Sequence, residues 1–190
     1  MSASVTLYCW LVAAVAAERG FELVLSRRNL RWAAQKGGVE RGAGHYRWMV
    51  FSHTGLLLAC PLEVWFLERP FLPVVGVPAL ALLVVSMSLR YWAVVSLGRR
   101  WNTRVVVVPG VPVVTSGPYR FLRHPNYLAV VLEVAALPLV HSAWVTAVVF
   151  TILNGLILRT RLRVEESTLR ELADYETAMK GRSSLLPGAG

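Results

Sequence analysis

The sequence predicts an all-α polytopic membrane protein with five transmembrane helices. Three observations carry that expectation. The chain of 190 residues is 55% hydrophobic and only 16% charged, with a mean hydropathy of +0.51. A soluble domain carries about 25% charged residues. The apolar residues fall in runs that match the roughly 20 residues a helix needs to cross a bilayer. The charge is lopsided, 20 Lys and Arg against 11 Asp and Glu, and the basic residues alternate with the apolar runs. Together these features exclude a disordered chain and an ordinary soluble enzyme. A basic chain by itself would point to nucleic acid; in this apolar setting it points to basic loops on one side of a membrane. Cys9 and Cys60 lie in apolar stretches and read as packing residues.

The first predicted span covers residues 5–25, with Glu18, Arg19 and Glu22 in its second half. Its length would suit a signal peptide. However, no Lys or Arg precedes Arg19, and apolar helix continues past the small residues at 15–17, so it reads as a retained helix. The second span, 46–67, is uncharged between Arg47 and Glu63, and the third, 71–97, is broken only by Arg90. Residues 125–158 contain one formal charge, Glu133, and are too long for one span. Punctuation near Pro138 and at His141-Ser142 predicts a tight hairpin of two helices.

Two further segments differ from ordinary loops. Residues 105–115 are apolar but broken by Pro109, Gly110 and Pro112. They are too short to span and too rich in proline for a helix, so they should lie at the membrane face or fold back on the protein. Beyond the last span, Leu162, Leu169, Leu172 and Tyr175 recur at helical spacing among charged residues. That pattern predicts an amphipathic helix over 159–180.

Sidedness follows from the loops. Residues 26–47 hold six basic residues and one acid, 96–124 five and none, and 159–182 six, together 17 of the 20 basic residues. All three regions fall on one side of a five-span chain. The positive-inside rule then places the N-terminus outside and the C-terminal helix in the cytoplasm. We divide the chain into residues 1–95, with the first three helices, and residues 96–190, with the hairpin and the C-terminal helix.

Among the intramembrane polar residues, Glu133 stands out, because a charge there is costly and marks function by default. A structural partnership with Arg90, His53 or Asn154 is the other reading. Asn154 suits interhelical hydrogen bonding, His53 a buried hydrogen-bonded position, and His141 an interfacial turn. Glu18, Arg19 and Glu22 either pair along their helix or line a substrate portal.

The densest polar cluster runs from Gly117-Pro118-Tyr119 to Arg123-His124-Pro125-Asn126-Tyr127. Interfacial anchoring accounts for the tyrosines and arginines. Two prolines holding the backbone rigid around a His and an Asn point to a binding loop. A second cluster, 159–166, places Arg161 and Glu165 four residues apart on one helix face. As a surface ion pair these would contribute only a few tenths of a kcal/mol, at about the low end for exposed pairs. At the end of the last span they instead join the His124 loop in a pocket of carboxylate, guanidinium and aromatic groups.

This ordered combination resembles the isoprenylcysteine carboxyl methyltransferase family over residues 96–187: Gly117-Pro118-Tyr119, Arg123-His124-Pro125-Asn126-Tyr127, a membrane hairpin, then Arg161, Glu165, Glu166 and Leu169. Tyr175 and residues 182–187 resemble the family's ending. Its members are integral membrane enzymes that use S-adenosylmethionine (SAM). The resemblance implies that Tyr119, His124, Pro125, Asn126 and Tyr127 surround SAM. It implies backbone contacts from Val111, Pro112, Val113 and Val114, a polar contact from Glu165, and an Arg161 that faces the acceptor. A sulfonium and an ammonium suit carboxylate and aromatic faces. Members often carry a His where this chain has Val111, so backbone contact alone is implied there. No Gly-x-Gly-x-x-Gly stretch follows a strand, which leaves a soluble Rossmann-type methyltransferase unsupported. No metal is expected.

The N-terminal half is similar to a narrower group. Glu18, Arg19, Glu22, Leu23, Ser26, Asn29, His45-Tyr46 and Trp101-Asn102-Thr103-Arg104 resemble bacterial relatives encoded near type III polyketide synthases and associated with O-methylation of alkylpyrones or alkylresorcinols. This implies a SAM-dependent O-methyltransferase of a phenolic or pyrone lipid that enters from the bilayer. It also implies a bacterial plasma membrane location, a cytoplasm-facing site, a functional link to such a synthase and no nucleic-acid partner. Carboxyl methylation of an isoprenylcysteine-like acceptor, or a non-catalytic membrane scaffold, are the alternatives. A carboxylate acceptor needs only Arg161 for positioning. A phenol, with a pKa near 10, benefits from a base, for which Glu133, Glu22 and His124 are the candidates. Arg161 and Glu133 are therefore the expected catalytic residues.

Overall fold

A computed structural model describes residues 2–183, with His45 described by its backbone alone. The part of the family-like ending at 184–187 lies outside the described residues. Six α-helices and two short strands are described: α1 (Ala3–Gln35), β1 (Val39–Arg41), α2 (Ala43–Phe66), α3 (Pro73–Leu97), β2 (Val105–Val107), α4 (Pro125–Leu139), α5 (Trp144–Leu172) and α6 (Tyr175–Ala178). Two 3-10 turns, Gly98–Arg100 and Gly117–Arg120, punctuate the α3–α4 connection.

The structure bears out a mainly helical membrane protein and corrects the all-α expectation. β1 and β2 form an antiparallel pair, with Val39 opposite Val107 and Arg41 opposite Val105. The β-branched run at 105–108 has strand propensity. Its partner is a three-residue segment in a charged connection, too short to stand out as a strand. The expectation that 105–115 folds back on the protein holds: Val105, Val107, Val108 and Val114 are buried.

Three stretches, Tyr46–Phe66, Pro73–Arg100 and Trp144–Leu172, are long and apolar enough to cross a membrane. α1 falls short because Glu18, Arg19 and Glu22 interrupt its apolar run, although it is about 50 Å long at 1.5 Å per residue. It also continues ten residues past the predicted end, to Gln35. α4 has 15 residues, about 22 Å against a hydrocarbon core of about 30 Å.

The predicted hairpin is present. Pro138 sits inside the last turn of α4, and the chain reverses over 140–143, where Ser142 has φ 57° and Ala143 N–H donates to the Pro138 carbonyl at 3.0 Å. α5 then runs unbroken to Leu172, short of the expected 159–180: the backbone turns extended at Ala173 (φ −145°, ψ 161°), and Tyr175–Ala178 form the separate short helix α6. At Gly76 of α3 a Cβ would stand 2.6 Å from the Val140 carbonyl oxygen and 2.5 Å from the Phe71 ring. Only glycine allows this approach. Pro125 opens α4 at its first turn, where a missing N–H costs nothing.

Tyr8, Val15, Leu56, Cys60, Leu83 and Leu137 form the apolar core at the end of the bundle that holds the α4–α5 turn. The outward faces stay strongly apolar, with Trp10, Phe51, Trp65, Val74, Val95 and Ile152 exposed, as lipid contact requires. At the same end Glu63 of α2 accepts hydrogen bonds from the free N–H groups of Val145 (3.1 Å) and Thr146 (2.6 Å), and pairs with Arg69 at 2.9 Å. A carboxylate suits the positive end of the α5 dipole. Glu63→Ala leaves those amides without a cap and should cost about 1–2 kcal/mol, read as a lower thermal midpoint of the purified protein in detergent.

Candidate functional site

The other end of the bundle gathers the basic segments. Its scaffold begins on α1. Asn29, buried, donates to the carbonyls of Trp101 (2.8 Å) and Gly98 (3.3 Å). Ser26, one turn earlier, bonds Asn102 Oδ1 at 2.7 Å and Thr103 Oγ1 at 2.8 Å, and accepts from Thr103 N–H at 3.1 Å. Two small polar side chains on one helix therefore fix the backbone of 101–103. β1–β2 pairing and the Arg104–Glu40 ion pair (2.8 Å) hold the next residues.

Arg161 of α5 is buried against this segment. Its Nη1 donates to the Thr103 carbonyl at 2.5 Å and lies 2.9 Å from Met49 Sδ, while its Nε donates to the Tyr127 hydroxyl at 2.6 Å. The guanidinium lies 5.3 Å from the Tyr127 ring centroid. Tyr127 in turn donates to Glu165. Arg161 and Glu165 share a helix face, but a phenol stands between them and relays one charge to the other. Arg161 Nη2 has no hydrogen-bond partner among the described residues.

His124 sits where the α3–α4 connection becomes helix, at φ −131° and ψ 59°. The following proline keeps it out of the helical region. Its ring stacks on Tyr127, centroids 5.4 Å apart, and its Nε2 meets Glu166 Oε1 at 3.0 Å. The Tyr175 hydroxyl closes the group, 3.2 Å from His124 Nε2 and 3.5 Å from Glu166. Burial pushes the Tyr175 phenol above its ordinary pKa, with Glu166 adding to it. Burial does the same to Tyr119, with Glu165 adding to it. Both therefore stay neutral hydroxyls at physiological pH. Residues 182 and 183 clasp the loop: Arg123 N–H donates to the Ser183 carbonyl at 2.9 Å and Arg123 Nε to the Arg182 carbonyl at 2.7 Å.

Two cavities meet here. The first encloses about 1060 Å³ including its open mouth, and its walls include Val111, Pro112, Val113, Val114, Tyr119 and His124. Asn126, Tyr127, Arg161 and Glu165 also line it. Pro125 is the one residue of the expected cofactor set that does not; it is buried in the first turn of α4. The second, about 880 Å³, lies between the helices, with Leu23, Met49, Val50, Leu57, Val130 and Ile157 among its walls. Trp101, Asn102, Asn126, Tyr127 and Arg161 line both. At that junction Trp101 Nε1 and Asn126 Oδ1 are buried without a hydrogen-bond partner among the described residues. Each such atom costs about 1–3 kcal/mol if left bare, so a donor and an acceptor stand ready for a ligand.

Glu133 lines neither cavity. It joins an ion network, 3.3 Å from Arg19 and 3.9 Å from Arg90. Arg90 is the partner the sequence suggests; His53 instead meets the Met49 carbonyl at 2.9 Å, and it lines the second cavity with Asn154. Sequence reasoning assigned no role to Glu166, Ser26 or Asn29. Their polarity at regular spacing was visible, but their partners lie 42 to 77 residues away.

The sequence model described as the isoprenylcysteine carboxyl methyltransferase (ICMT) family matches residues 79–171. The chain is 36% identical over 166 residues to the uncharacterized protein YpbQ of Bacillus subtilis (strain 168), covering 87% of this chain and 98% of that protein. It is 26% identical over 161 residues to an uncharacterized protein of Haemophilus influenzae, covering 84% and 93%. Both likenesses therefore reach into the N-terminal helices, which the family match leaves out.

Asn29→Ala should bare the Trp101 carbonyl and cost about 1–3 kcal/mol. The check is a lower thermal midpoint together with faster hydrogen exchange at 101–103.

Proposed function

The chain belongs to the isoprenylcysteine carboxyl methyltransferase family, and from that premise we propose that it is a SAM-dependent O-methyltransferase of a lipophilic acceptor. The acceptor in this reading is a phenolic or pyrone polyketide lipid, with a functional link to a type III polyketide synthase. The protein sits in a multi-pass arrangement of five spans in the bacterial plasma membrane, and its basic end, with the first cavity, faces the cytoplasm.

The observation that carries this reading is the junction. Two cavities, the second the more apolar, share five wall residues, so two molecules held in them would meet at Arg161, Tyr127 and Asn126. The first cavity suits SAM. Its donor set offers the Glu165 carboxylate and the faces of Tyr119 and Tyr127 for positive groups, and the bare Asn126 Oδ1 for an N–H donor. SAM, when bound, supplies a methyl group on a positively charged sulfur.

The protein's own contribution is alignment. Arg161 is locked at Nε and Nη1, which leaves Nη2 to orient the acceptor oxygen. Tyr127 keeps Arg161 and Glu165 bridged without direct contact, so one charge serves each cavity. His124, held by Glu166 and Tyr175, supports the Tyr127 ring by stacking on it. Glu133 acts through the ion network and not by contact with either molecule. The apolar second cavity takes the lipid tail directly from the bilayer, which accounts for a methyltransferase built inside the membrane.

Purified protein should bind SAM, and Glu165→Ala and His124→Ala should weaken that binding by about tenfold or more, the worth of one charge-assisted contact. Arg161→Ala should lower turnover about a hundredfold, as loss of one aligned donor does, with SAM affinity changed little. Undetectable SAM binding would overturn the reading. Comparison of lipid extracts with and without the gene should reveal a phenolic or pyrone lipid heavier by one CH2; a methylated carboxylate in its place would move the assignment to carboxyl methylation.

A further inference from the structure

Beyond the junction, the wall of the second cavity carries two uncharged polar side chains that packing does not account for. His53 of α2 is partly buried and Asn154 of α5 is 6% exposed, and both line the cavity. Polar groups at such depth serve to bond one helix to another. Neither does so here. His53 Nδ1 meets the Met49 carbonyl of its own helix at 2.9 Å, and its Nε2 has no hydrogen-bond partner among the described residues. The Asn154 amide has none among them either, and the walls around the pair are Val50, Leu57, Val130, Ile157 and Leu158.

The tautomer of His53 follows from its single bond. A carbonyl only accepts, so Nδ1 carries the proton. In the neutral ring Nε2 is then a lone-pair acceptor, and the Asn154 amide adds donors and an acceptor. Arg90 and Glu22 line the same cavity but are committed to each other through two bonds, at 2.5 and 2.6 Å.

Two contacts fix where the pair sits. α2 leaves the basic end and α5 returns to it, since Glu63 near the end of α2 caps the start of α5. The two helices meet at Met49 and Arg161, where Sδ and Nη1 are 2.9 Å apart. They meet again at Gly55 and Phe150, where a Cβ on Gly55 would stand 3.1 Å from the ring. His53 lies between these points on α2, and Asn154 lies between them on α5. Both therefore line the cavity at similar depth. His53 is four residues beyond Met49, about 6 Å along the helix. An aromatic ring whose reacting oxygen sits at Arg161 extends toward that depth with its other side.

Resting on the methyltransferase reading, we propose that His53 and Asn154 form a second polar subsite in the acceptor cavity, which binds a hydroxyl that the enzyme does not methylate. The hydroxyl donates to His53 Nε2 and accepts from the Asn154 amide. A carbonyl or ether oxygen satisfies Asn154 alone, because it has no proton for His53. The subsite thus favours a dihydroxylated ring over a hydroxypyrone, whose remaining oxygens only accept.

The experiment gives the purified full chain in lipid nanodiscs an alkylresorcinol or a meta-alkylphenol of equal tail length, which differ in the second hydroxyl alone. Binding is read by titration as a shift in thermal midpoint, and KM and kcat for methyl transfer from labelled SAM are read in parallel. The wild type should bind the resorcinol about tenfold more tightly, as two ordinary hydrogen bonds give. His53→Phe should bring the two amphiphiles within about twofold by weakening the resorcinol, while SAM affinity stays the same. If that variant does not fold, Asn154→Leu carries the same expectation. Equal wild-type affinity for the two amphiphiles, no binding of either, or a full preference in a folded variant would each overturn the subsite. A wild type that methylates both with the same KM would sink the subsite and leave the methyltransferase reading standing. One that shows the preference in binding yet takes no SAM would do the reverse.

Discussion

The buried guanidinium of Arg161 is the constraint on which the rest of the site depends. A charge in that position is tolerated only when its hydrogen bonds are met. Here those of Nε and Nη1 are met from three separate places, the Thr103 carbonyl, Met49 of α2 and the Tyr127 hydroxyl of α4, and Nη2 is left over. Each partner is positioned by something else. Thr103 is held by Ser26, and Tyr127 is held between His124 and Glu165. One cation thus draws α1, α2, α4 and α5 into register at the basic end, while apolar contacts and the Glu63 cap do so at the other end.

The helices were legible because their signal is local. Apolar runs, Pro125 at a helix start and the punctuation near Pro138 and His141 marked α2 to α5 closely. The limits of α1 were not legible, because its extra ten residues are basic and read as a loop; they stay helical where Asn29 and Ala33 pack inward. β1 was invisible because three residues carry no periodicity. Its existence depends on a partner about 66 residues away in sequence, a separation over which pairing is a tertiary matter.

The site was legible in its residues and not in its wiring. Tyr119, His124, Asn126, Tyr127, Arg161 and Glu165 do line one cavity. The spacing of Arg161 and Glu165 suggested an ion pair, yet a phenol from another helix separates them, which no spacing on α5 could reveal. Glu133 was singled out as a costly intramembrane charge, and Arg90, one of its suggested structural partners, lies 3.9 Å away. Only the fold shows that Arg19 and Glu22 complete the same group.

The two cavities also have different addresses along the chain. Most of the first is built from residues 97–179, whereas much of the second comes from residues 19–57 of α1 and α2. The family match covers 79–171 and so takes in much of the first cavity's wall but none of those N-terminal residues. On the proposed reading, the methyl donor and the acceptor are inherited on separate stretches of the gene. Selection can then rewrite the N-terminal helices to suit a new lipid while the donor chemistry stays fixed, which makes the fold a ready platform for diversification.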